Sequence, residues 1–112
     1  MSDRLEKVKS LVQKELAKIL LKESDFSYDV LVTLTRVDIP PDLRTANAKI
    51  SVIPTQKTKE VINLLKHNIY DIQQQLNRRI RTRPVPKITF VEEKGTAEAA
   101  RIEALLEKIQ QG

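Results

Sequence analysis

The chain has no cysteine. That excludes disulfide bonds, thiolate catalysis and cysteine-ligated zinc. Aromatic residues make up only 4%, so the core must be built from isoleucine, leucine, valine and alanine. With two glycines, the chain has no flexible linker. It also has no Gly-rich phosphate loop, no H-E-x-x-H and no G-x-S-x-G. No apolar run approaches the roughly 18 residues of a membrane-crossing helix. The N-terminus reads as a charged helix rather than a signal peptide. Repeats and low-complexity tracts are missing as well. The expectation is a soluble, cytoplasmic protein with no membrane partner. Its 112 residues suffice for one compact domain.

Catalytic groups are equally scarce. The single histidine, His67, falls on the polar side of a helix pattern without a partner to orient it. Glu92 and Glu93 end a strand pattern, and paired carboxylates need a cleft and shifted pKa values to work as acid and base. Serines and threonines are scattered, and no group of ligands has metal-binding spacing. A non-enzyme is expected, with no cofactor, no metal and no small-molecule substrate.

What the chain does have is concentrated positive charge. Residues 57–87 carry eight lysines and arginines against Glu60 and Asp71, or +6, whereas the rest carries twelve bases against thirteen acids, or −1. The whole net charge of +5 thus comes from one stretch. Val61, Leu65, Ile69, Ile72, Leu76 and Ile80 are spaced four, four, three, four and four apart, one face of a long amphipathic helix. Arg78, Arg79 and Arg81 fill its last turn and Arg83 follows. Cations suit the negative end of a helix dipole, which accounts for one or two arginines and not for four in six residues. Such a cluster is a footprint of a phosphate-rich partner.

On the N-terminal side, residues 4–22 form a first helix with the stripe Leu5, Val8, Leu11, Val12, Leu16, Ile19 and Leu20, which Ser2 or Asp3 can cap. Residues 23–29 are a polar loop in which Phe26 and Tyr28 plug the sheet edge. Residues 30–39 and 43–53 are two strands broken at Pro40-Pro41-Asp42, hence an antiparallel hairpin. In the second strand Ala46, Ala48, Ile50 and Val52 alternate with Asn47, Lys49 and Ser51, one face on a core and one in water. Pro54 stops that strand, and Thr55 or Thr58 caps the long helix. Pro84 and Pro86 then allow only an extended path into a third strand, 87–93, expected parallel to the second. Thr96 caps a last amphipathic helix, 96–111. The predicted fold is α+β, with helices on one face of a three-stranded mixed sheet. The domain spans 1–93, and 94–112 is a C-terminal amphipathic helix of the same unit. That last helix either covers the other sheet face or leaves it partly open.

Arginine can hold a phosphate through two parallel hydrogen bonds and can stack on bases. Arg78, Arg79, Arg81 and Arg83 are therefore the first candidates for RNA contact. Some of them are expected to cap carbonyls or pair with Glu92 or Glu93, leaving two or three for RNA. Lys57, Lys59 and Lys66 extend the positive stripe. Arg4 and Lys7, one turn apart on the first helix, either reach a phosphate or remain surface. Arg36 and Arg44 near the hairpin are further candidates. Phe90 belongs to the core, and Tyr70 either stacks or packs. With so few aromatics, recognition is expected to lean on backbone and shape rather than on unstacked bases.

Several separated pieces, in this order and spacing, resemble the ribosome-binding factor A family, bacterial assembly factors of the small ribosomal subunit. These pieces are Arg4 and Lys7-Val8, then Leu16, Ile19 and Leu20, and Val32-Thr33-Leu34-Thr35-Arg36-Val37. Asp42-Leu43, Ala46 and Lys49-Ile50-Ser51-Val52 follow. Next come Arg83-Pro84-Val85-Pro86-Lys87-Ile88-Thr89-Phe90 and finally Arg101-Ile102 with Leu105-Leu106. The resemblance covers roughly residues 4–109. It implies a KH type II-like fold, α-β-β-α-α-β, with an additional C-terminal helix. It also implies non-catalytic binding to 16S rRNA and the 30S subunit during late rRNA maturation, by a monomer. One position departs from the family. Its central helix is usually broken by Ala-x-Gly, and the matching residues here are Asn68-Ile69-Tyr70. Either the helix runs straight, or it breaks at Asn68, which tolerates unusual backbone angles.

Two rival functions remain at this point. The basic helix could dock an acidic protein partner with no RNA contact, or the chain could be an RNA-processing enzyme.

Overall fold

The computed structural model describes residues 2–22 and 29–93, with side chains from residue 4. The elements are α1 (Ser2–Leu21), β1 (Leu31–Asp38), β2 (Thr45–Ile53), a 3₁₀ turn (Thr55–Lys57), α2 (Thr58–His67), α3 (Ile69–Arg79) and β3 (Lys87–Glu92). This is the expected α-β-β-α-α-β order of a KH-like fold. The expected last helix, with Thr96 as its cap, and the loop residues Phe26 and Tyr28 lie outside the described residues, as do the side chains of Ser2 and Asp3.

The sheet order is β1-β2-β3, with β1 antiparallel and β3 parallel to β2. A parallel neighbour needs a long crossover connection, which α2 and α3 supply between β2 and β3. On the inner face Ala46, Ala48, Ile50 and Val52 lie beside Val37, Ile88 and Phe90, all buried. α1 contributes Val8, Val12, Leu16, Ile19 and Leu20 to the same core, α2 contributes Val61 and Leu65, and α3 contributes Ile72 and Leu76. Small alanines at the centre of β2 let the helices approach the sheet closely. Asn47 and Thr89 are exposed on the outer face.

A bulge in β1 sets what each face shows. Leu34 pairs with Ile50, but Arg36, not Thr35, pairs with Lys49. One extra residue reverses the alternation. Val37 therefore turns into the core while Arg36 joins Lys49 on the outer face. The Thr35 hydroxyl donates to the Lys49 carbonyl at 3.2 Å. In the hairpin turn the Leu43 amide donates to the Pro40 carbonyl at 2.9 Å, and the Arg44 amide donates to Asp42 Oδ1 at 3.0 Å. Leu43 has φ of 60°, a costly left-handed conformation for a bulky residue. Burial of its side chain favours that conformation.

Three local points were open or expected otherwise. First, of the straight helix and the helix broken at Asn68, the broken one is found. Asn68, at φ −94° and ψ 11°, separates them. It still donates to the Leu64 carbonyl and accepts from the Ile72 amide, each at 3.1 Å. Second, neither Thr55 nor Thr58 caps α2. Thr55 opens the 3₁₀ turn, the cap position is Lys57, and no side chain caps the helix. Thr58 turns inward with Val61 and Leu65, and its buried hydroxyl finds no partner among the described residues. Third, the chain bends at 82–84 before running extended from Val85.

Candidate nucleic-acid interface

α3 and the bend after it carry the arginine cluster, and tertiary contacts divide its members. Arg83 folds back on α3. Its guanidinium donates to the carbonyls of Ile80, Thr82 and Asn77, the last two at 3.2 and 3.4 Å. The final carbonyls of a helix have no intrahelical donor; of the three Arg83 reaches, that of Asn77 lies in the last turn of α3, that of Ile80 at its cap and that of Thr82 just beyond, and the cation offsets the dipole. Arg79, its side chain 27% exposed, lies 3.8 Å from Glu15 Oε1, while Lys18 reaches Glu15 Oε2 at 3.3 Å. One carboxylate on α1 thus holds cations from α1 and α3. Arg78 and Arg81 are exposed and have no partner among the described residues.

The four clustered arginines do not pair with Glu93, which takes Arg36 instead. Glu93 is on the outer sheet face, its side chain 4% exposed, with Arg36 Nε 3.5 Å away. Arg36 also lies 3.5 Å from Asp38, so two carboxylates compensate this cation. Arg44 is exposed, and its backbone carbonyl accepts from the Lys87 amide at 2.9 Å.

The remaining candidates are distributed along the helices. Lys57 pairs with Glu60 at 3.5 Å, whereas Lys59 and Lys66 are exposed. About 30 Å of helical path separates Lys59 from Arg79, at 1.5 Å per residue. Lys57 and Lys59 thus sit at the start of the α2–α3 unit, Lys66 beside its central break and the arginines at its far end. Asn68 is half-buried at the break. Arg4 and Lys7 are exposed on the first turns of α1, with Arg4 about 16 Å along the helix from Glu15. No cluster of three or more potential metal ligands occurs among the described residues.

Gln73 was not singled out by sequence reasoning. Its Nε2 donates to the Pro86 carbonyl at 3.1 Å and to Asn77 Oδ1 at 3.2 Å, and its Oε1 accepts from the Ile88 amide at 2.9 Å. The side chain thereby ties α3 to the start of β3 and fixes where the bend with Arg81 and Arg83 can lie. In the sequence it is one of three consecutive glutamines. Only its place at i+1 from the buried Ile72 sets it apart.

Comparison with known proteins gives one consistent result. The family model described as ribosome-binding factor A matches residues 4–106. A ribosome-binding factor A of Chlorobaculum parvum is 35% identical over 115 aligned residues, covering all of this chain and 95% of the relative. The crystal structure of ribosome-binding factor A from Thermus thermophilus superposes with a TM-score of 0.70 at 17% identity, over 80% of this chain and 96% of that one. A homology model of the Thermus thermophilus factor, fitted into the cryo-EM map of a 30S complex, superposes at 0.61 and 17% identity over 76% and 90% of the two chains. At that identity the two structural likenesses speak for the fold.

Proposed function

The chain belongs to the ribosome-binding factor A family, and from that premise we propose that it binds the immature 30S subunit through 16S rRNA. It acts there as a non-catalytic factor in late rRNA maturation, as a monomer in the cytoplasm. The observation that carries this reading is the pair Arg78 and Arg81. Both stand exposed on a buttressed element, with no partner among the described residues, where a guanidinium can take a phosphate bidentately. Lys59, Lys66, Arg4 and Lys7 add exposed charge, while Lys57, Arg79, Arg83 and Arg36 are engaged within the protein and contribute mainly long-range field. Asn68, half-buried at the helix break, and Arg44, exposed at the hairpin, are secondary candidates. The mechanism is selective binding: a factor with higher affinity for one rRNA conformation shifts the population toward it.

Arg78→Glu/Arg81→Glu is the test. The double variant should fold normally and lose co-sedimentation with immature 30S particles. Undiminished co-sedimentation at moderate salt would refute the assignment. Release of the wild type by nuclease supports RNA as the ligand, whereas retention on nuclease-treated particles points to an acidic protein partner. Cleavage of precursor rRNA by the purified protein would contradict the non-catalytic reading.

A further inference from the structure

Two aromatic side chains are described, and they have opposite fates. Phe90 is buried in the sheet, while Tyr70 is 76% exposed. Tyr70 sits in the first turn of α3, two residues after the break at Asn68, and has no hydrogen bond or ring contact among the described residues. An exposed aromatic ring without a neighbour adds little to the fold. Its surroundings are polar and cationic. Lys66 and His67, one turn earlier, are exposed. Gln74 and Arg78 follow at i+4 and i+8, on one ridge of the helix, opposite the buried Ile72 and Leu76. The adjacent acid, Asp71, accepts a hydrogen bond from Gln75 at 3.2 Å. The other exposed large apolar residues among those described are Leu21 and Leu31, on α1 and β1, so no apolar patch surrounds the ring. A protein contact centred on tyrosine is normally ringed by groups that exclude water. A lone ring with Lys66 one turn before it and Arg78 two turns after it suits a nucleobase, whose flat face stacks while the cations meet its backbone.

We propose that Tyr70 is a stacking platform for an unpaired base of single-stranded RNA, with Arg78, about 12 Å along the helix, holding the same strand by phosphate. The proposal deepens the RNA-binding reading and rests on it. It adds to the phosphate grip a preference for unpaired strand over duplex.

The full chain and its Tyr70→Ala, Tyr70→Phe and Tyr70→Trp variants are titrated with a fluorescent 12-nucleotide single-stranded RNA and with the same sequence as duplex. Circular dichroism serves as the folding control. Tyr70→Ala should weaken single-strand binding about tenfold or more. Duplex affinity and the salt slope should be unchanged, since the cations that meet the phosphates are all retained. Tyr70→Phe should bind like the wild type because the ring does the work. Tyr70→Trp, the only tryptophan in its chain, should be quenched on binding. Wild-type affinity in Tyr70→Ala overturns this inference and leaves the RNA reading intact. A loss as large in Tyr70→Phe also overturns it, by assigning the effect to the hydroxyl. Loss of 30S association with RNA binding unaltered overturns it in favour of a ribosomal protein contact. Failure of the wild type to bind any RNA overturns the RNA reading and this inference together.

Discussion

The guanidinium of Arg83 turns back onto the carbonyls of Asn77, Ile80 and Thr82, so its charge is spent on the end of α3. Arg78, five residues earlier, has no such partner. The two should separate experimentally. Arg83→Gln should destabilise the fold by about 1 kcal/mol through loss of the C-terminal cap, read as a lower urea midpoint. Arg78→Gln should leave that midpoint unchanged. Thr58 makes the opposite case. A buried hydroxyl with no partner costs desolvation free energy that nothing returns, and an isosteric apolar group removes the cost. Thr58→Val should stabilise by about 1 kcal/mol, a melting temperature higher by roughly 4 °C. Sequence reading placed Thr58 at the right helix end and misjudged its role, because threonine at a helix start is as readily inside the first turn as before it.

At the scale of elements, the α2–α3 break and the α3–β3 tie determine where the arginines stand. Both helices were legible as one apolar period, since a single residue at φ −94° and ψ 11° barely disturbs the i, i+4 spacing. The tie is Gln73, whose amide bonds the Pro86 carbonyl just before β3 and the Ile88 amide within it. Gln73→Ala should leave the Ile88 amide without its acceptor and destabilise by about 2 kcal/mol. Hydrogen exchange should then rise first at the start of β3. The β1 bulge was also written in the chain: Val32 and Leu34 alternate in one phase, and Val37 and Ile39 in the other. The unequal gap between Leu34 and Val37 is the signal that sequence reasoning passed over, because period-two matching tolerates one slip without changing the strand assignment.

Over the whole molecule, charge is unevenly distributed, with +6 in residues 57–87 and −1 elsewhere. Such a field raises association rates and makes affinity fall steeply with salt. Plotting log affinity for rRNA against log salt should give a straight line. Arg78→Gln/Arg81→Gln should make its slope shallower by about 1.4, near 0.7 for each single-strand phosphate that is no longer neutralised. Arg36→Gln should change the slope little, since Asp38 and Glu93 already compensate that charge. Equal slopes for all three proteins would place the phosphate grip elsewhere on the surface.

The order of elements, the aliphatic core and the location of the positive stretch were determined by the sequence alone, because periodicity and composition are local properties that each segment carries with it. Which arginines remain available was decided only by the tertiary structure. Glu15 lies 64 residues before Arg79 in the chain, and Glu93 lies 57 after Arg36. A charge is neutralised by whatever the fold brings within a few ångströms of it, and no local pattern records that. Tyr70 follows the same rule: its position was plain from the sequence, but its exposure depended on how α3 is rotated against the sheet.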